Sequence, residues 1–205
     1  QAIDWNTADI DWQGRGWDRG LRGIAFDGER VFIAASNELF VYSPEFELLA
    51  SYRNPFLMHC HELHVYQRRL YITSTGFDSI LGFDLDNNRF CFGLHLVGVG
   101  GGFQGAPFDP EGEEGPAPGN QLHLNNVFCN GQGMYISGLR SAGMVRFDGR
   151  SLERVATLPR GIHNAMPHAG GVLFNDTPAD RVRLLVPGKD ISFAVPTYTA
   201  DQLTH

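Results

Sequence analysis

The chain has 205 residues, a formal net charge of −7 and a hydrophobic share of 42%, enough to build the core of one domain. Charged residues make up only 19% and no basic run exceeds Arg68-Arg69, which excludes a disordered chain and a nucleic-acid partner. No stretch approaches the ~20 apolar residues of a membrane-spanning helix, so no membrane partner is expected. Residues 1–19 lack the charged-then-apolar order of a signal peptide. The odd cysteine count (Cys60, Cys91, Cys129) predicts reduced thiols in a cytoplasmic protein rather than a disulfide framework.

An N-terminal stretch carries Trp5, Trp12 and Trp17, expected to cover a hydrophobic end of the domain. A repeat follows. Segments 23–34, 62–73, 126–137 and 164–175 each read as an apolar strand, a tight polar turn and a second strand. Anchored on Val31, Leu70, Met134 and Val172, they are spaced by 39, 64 and 38 residues. The long interval holds segment 98–120, rich in Gly and Pro and carrying Asp109, Glu111, Glu113 and Glu114. It is expected to lack regular structure and to lie between the second and third units, as a channel lid or a solvated excursion. Each hairpin is followed by a third strand, at 38–42, 79–84, 143–148 and 181–186, and a fourth, at 47–52, 89–94, 152–158 and 191–195.

Four antiparallel strands in about 40 residues make one β-propeller blade. The chain is therefore read as all-β: a single propeller of four four-stranded blades at 20–55, 57–98, 121–159 and 161–196, or five with one incomplete. An irregular β-sandwich is the alternative, but it leaves the period unexplained.

The repeat also aligns the histidines. Nine residues before the anchors stand Arg22, His61, Asn125 and His163; eleven before stand Gly20, His59, His123 and Gly161. Eight before stand Gly23, Glu62, Asn126 and Asn164. All begin the first strand of a blade, the strand that lines a propeller's channel, so their side chains should converge on one axis. Imidazoles at matched depth are metal ligands in type, which makes His59, His61, His123 and His163 the candidate metal set. Glu62 and Arg22 are the candidate catalytic pair, with Asn125, Asn126 and Asn164 as substrate-binding amides. On simple strand alternation His59 and His61 share one face and Glu62 the other. The same residues could instead satisfy backbone groups and water around a polar channel. His64, His95 and His168 fall outside the set.

In blade pattern the chain resembles the gluconolactonase and strictosidine-synthase-like propellers. That resemblance implies one divalent metal (Zn, Fe or Ca) in the central channel, with Glu62, Asn126 and Asn164 matching the family's ligands in type and repeat position. Gly23 stands at the corresponding place in the first blade. The His-rich set is similar to that of the carotenoid-cleaving propellers, which hold iron. The expected function is a metal-dependent, lactonase- or hydrolase-like enzyme acting on a small polar ligand in the channel. A non-catalytic ligand- or protein-binding propeller and a three-His iron or copper oxidative enzyme are the alternatives.

Overall fold

A computed structural model of the chain describes residues 22–198. The tryptophans at positions 5, 12 and 17 lie outside the described residues. Among the described residues seventeen strands form four antiparallel sheets, each joined in sequence order. Blade 1 holds β1 (Gly23–Asp27), β2 (Arg30–Ala35), β3 (Glu38–Tyr42) and β4 (Leu48–Arg53). Blade 2 holds β5 (Cys60–Tyr66), β6 (Arg69–Ser74), β7 (Ser79–Asp84), β8 (Arg89–Val99) and β9 (Gly102–Phe108). Blade 3 holds β10 (Leu124–Asn130), β11 (Gly133–Gly138), β12 (Gly143–Phe147) and β13 (Leu152–Thr157). Blade 4 holds β14 (Ile162–His168), β15 (Gly171–Asp176), β16 (Arg181–Val186) and β17 (Lys189–Ala194). The described residues hold no helix long and apolar enough to cross a membrane.

The repeat read from the sequence is a repeat in register. Val31, Leu70, Met134 and Val172 lie on the second strand of their blades and pair with Phe26, Val65, Cys129 and Pro167, each five residues earlier. Period-two alternation lets each sheet bury both faces, and the core consequently lies between blades. Phe32, Ala34 and Leu39 of blade 1 pack with Leu63, Leu70 and Ile72 of blade 2. Ile80 and Leu94 of blade 2 meet Val127 and Ile136 of blade 3, and Tyr135 and Met144 of blade 3 meet Ile162 and Phe174 of blade 4. The first strands form the inner rank, with β1 against β5, β5 against β10 and β10 against β14.

Segment 98–120 departs from expectation. Its first half is a fifth strand: β8 runs on to Val99 and β9 returns along it, pairing Leu94 with Pro107 and Leu96 with Gly105. Glycine and proline in this stretch suggested a loop, but β9 is an edge strand, where Pro needs no inward N–H partner. Packing fixes it. The Phe108 ring occupies the space that a side chain at Gly93 would need, and it meets Phe56 edge-on with ring centroids 5.1 Å apart. The second half, 109–120, is largely irregular and ends beside the turn between β6 and β7, where the Gly119 N–H donates to the Gly76 carbonyl at 2.8 Å.

Candidate functional site

The strands of the inner rank differ from regular strands at one matched place. Between Cys60 and Leu63, between Leu124 and Asn126, and between His163 and Met166, the first strand carries one residue more than its partner. These are β-bulges, and a bulge re-aims the side chains it carries. His61-Glu62, Asn125 and Asn164-Ala165 occupy them. Simple alternation therefore fails here, and the face assignments expected for this stretch have to be replaced by the observed ones.

A second matched feature lies just before the bulges. His59, His123 and Gly161, all eleven residues ahead of their anchors, adopt left-handed backbone with φ of 54°, 54° and 86°. Glycine occurs there because that conformation costs it nothing. Asp78 holds the His123 turn in place. Its buried carboxylate accepts the backbone N–H groups of Gln121 and Leu122 at 2.5 and 2.9 Å on one oxygen, and of His123 at 2.8 Å on the other.

The result is a cavity of about 460 Å³ lined by Arg22, Ser36, His59, Cys60, His61, Asn120, His123, Leu139, Arg140 and His163. The rings of His61 and His123 meet edge to face at 5.1 Å. His61 Nδ1 lies 2.8 Å from the His59 carbonyl and 2.8 Å from Thr75 Oγ1. A carbonyl only accepts, so Nδ1 carries the proton. The Thr75 hydroxyl donates to the Leu124 carbonyl at 2.5 Å and accepts from the same imidazole N–H. Nε2 is then an acceptor, and it faces Arg22 Nη1 at 3.1 Å. Burial, with Arg22, His123 and His163 adding repulsion, pushes the His61 pKa down to about 4, so the ring is neutral at pH 7.

Blade 4 repeats the device: His163 Nδ1 meets Thr177 Oγ1 at 3.1 Å, and Thr75 and Thr177 both stand five residues after their anchors. That shared register was the available signal for these two threonines, which the histidine pattern alone did not reveal. His123 Nδ1 lies 2.9 Å from Asn120 Oδ1.

Other expected site residues are placed elsewhere. Asn125 and Asn126 are buried and brace blade 3 to blade 4, donating to the Ile162 and Ala165 carbonyls. Neither is among the residues that line the cavity. Glu62 also lies outside the lining. It accepts from Asn164 Nδ2 at 3.2 Å, linking blade 2 to blade 4, and burial raises its pKa. His64 is structural, bonded to the Cys129 carbonyl and packed at a tilt against Phe128.

The metal expectation meets a donor set that does not suit it. Among the described residues no three His, Cys, Asp or Glu side chains are grouped to hold a metal ion. The Nε2 of His61, fixed as an acceptor, faces a guanidinium. Cys60 is buried, and burial raises its thiol pKa well above the ordinary value, away from the thiolate that a metal requires.

No protein-family model matches the chain, and no curated protein matches it in sequence. Solved structures do match. A catalytically inactive His→Ala variant of virginiamycin B lyase from Staphylococcus aureus, crystallised with quinupristin, has a TM-score of 0.57 at 12% identity. The match covers 88% of this chain and 57% of the lyase, so the chain spans little more than half of that protein's length. The computationally designed Ika4 protein has a TM-score of 0.52 at 9% identity, covering 88% of this chain and 94% of Ika4. A chain of a nidogen/laminin complex has a TM-score of 0.50 at 11% identity, covering 86% of this chain and 80% of its own. The class is thereby settled: this is a β-propeller. Propellers of this shape include an enzyme and a member of a protein–protein complex.

Proposed function

We propose that this propeller binds a small polar molecule in its axial cavity and that the imidazoles of His61, His123 and His163 exchange protons with it. The observation that carries the reading is the convergence of three imidazoles from three blades on one cavity of about 460 Å³, a volume in the small-ligand range. His61 is held as the neutral Nδ1–H tautomer, and its Nε2 can take a proton once Arg22 Nη1, at 3.1 Å, gives way to the ligand. A neutral imidazole of this kind can take a proton from an attacking water, which suits a lactonase- or hydrolase-like reaction. In virginiamycin B lyase a His→Ala change removes catalysis, and dependence on an imidazole is part of the proposal here. The gluconolactonase-like blade pattern suggests a lactone as the probe, and no divalent metal is part of this reading.

The test follows the imidazole resonances by NMR while gluconolactone is added, and measures its hydrolysis by purified protein in the presence of a chelator. The expected result is movement of the His61, His123 and His163 signals and hydrolysis that a chelator leaves unchanged. His123→Ala and His163→Ala should lose both, whereas His95→Ala, whose ring hydrogen-bonds the Phe77 carbonyl away from the cavity, should keep both. Hydrolysis abolished by the chelator and restored by zinc or calcium would return the case to a metal. Resonances that no small polar molecule moves would remove the reading altogether.

A further inference from the structure

The distribution of charge around the cavity runs against the composition of the chain. The protein carries 23 acidic residues against 16 basic ones, yet among the described residues no Asp or Glu lines this cavity. Two guanidinium groups and four imidazoles do: Arg22 and Arg140, with His59, His61, His123 and His163. The acids are gathered elsewhere. Asp109, Glu113 and Glu114 line a separate cavity against His95, on the outer part of blade 2.

From this arrangement we infer that the cavity selects small oxyanions, molecules carrying a carboxylate or a phosphate, and the inference rests on the ligand-binding reading above. Arg140 is the principal recognition group. It follows β11, is exposed, donates through Nη1 to the Asn120 carbonyl at 2.5 Å, and forms no ion pair with a described residue. A guanidinium presents five donors in a planar fork, and one bond to a carbonyl leaves room for a bidentate oxyanion. Backbone donors cannot replace it, because the Gln121, Leu122 and His123 N–H groups are turned to Asp78. The imidazoles complete the selection. Arg22, His123 and His163 each disfavour a proton on His61, the signature of one positive field in one space. A bound anion relieves that repulsion, so anion binding and imidazole protonation favour each other.

The experiment titrates inorganic phosphate and citrate, at constant ionic strength, into the full chain while the imidazole resonances are recorded. Neutral erythritol, gluconolactone and cationic choline serve as comparison probes. The expected result is that phosphate or citrate moves the His61 and His163 signals and raises their pKa values, while erythritol and choline move neither. Arg140→Gln should weaken the anion about tenfold or more, and Arg140→Lys should restore part of the loss. Because Arg140 is exposed, these variants are expected to fold, and the unperturbed spectrum of the other blades checks that they do. Signals moved by erythritol or gluconolactone but not by the anions would overturn the anion selectivity and leave the ligand-binding reading standing. Signals moved by none of the probes would overturn both. Anion binding unchanged in Arg140→Gln would overturn the assignment of Arg140.

Discussion

Blade 1 and the three blades after it are built to one plan but differ where the chain meets the axis. β1 pairs with β2 residue for residue from Gly23–Ala34 to Asp27–Arg30, without a bulge. β5, β10 and β14 each insert one extra residue near their start. At Gly23 there is no room for a side chain, since a Cβ would lie 2.8 Å from Leu63 Cγ and 3.1 Å from the Leu63 backbone N. At the equivalent position of the other blades, in the bulge or directly after it, Glu62, Asn126 and Asn164 join one blade to another. At this position the regular strand packs and the bulged strands tie blades together, while His61, His123 and His163 beside it line the cavity. The same repeat position carries either task, and the extra residue decides which.

Three measurements test this difference between the blades. The largest effect is expected at Asp78, which organises the approach to the bulge in blade 3. Asp78→Ala removes a buried carboxylate and leaves three part-buried N–H groups without their charged acceptor, a loss of roughly 3 kcal/mol or more in urea denaturation. Asp78→Asn should fall between, because an amide oxygen still accepts but its nitrogen cannot. A loss under ~1 kcal/mol for the alanine variant would show that the His123 turn holds itself.

Acidification should come next. The His61 pKa is lowered by burial to about 4 from an ordinary 6.5, and the unfolded chain therefore takes up this proton first. The contribution is whole above pH 6.5, falls as the pH drops, and stops falling below about 4. Burial lowers His64 and His163 in the same direction. Stability measured across this window should be steeper in the parent protein than in His61→Gln. Equal slopes would mean that His61 is not the neutral, buried group described.

The smallest effect is expected at the two threonines. Thr75→Val removes the hydroxyl between His61 and the Leu124 carbonyl, and Thr177→Val the one beside His163. Each should cost about 1 kcal/mol or less, with the exposed blade 4 pair at the lower end. Ring nitrogen-15 shifts supply the sharper reading. Thr177→Val should alter the tautomer balance of His163, whereas Thr75→Val should leave His61 in its Nδ1–H form, still held by the His59 carbonyl. A changed His61 tautomer would assign the orientation to Thr75 alone.

The sequence by itself determined the class of fold, the second strands and nearly every third and fourth strand, because period-two alternation and tight turns are local and recur at a fixed interval. Val31, Leu70, Met134 and Val172 were legible as one position four times over for the same reason. It also aligned His61, His123 and His163, which line one cavity. Tertiary structure alone decided what those residues face. A bulge exists only relative to the partner strand, so counting along one strand cannot detect the extra residue that separates the tasks of His61 and Glu62. The strand hidden in segment 98–120 depended on a place for Phe108 over Gly93, and the Glu62–Asn164 link joins residues 102 apart. Spacing along the chain carries the repeat, whereas the cavity, its charge and its tautomers belong to contacts between blades, where distances in sequence hold no information about distances in space.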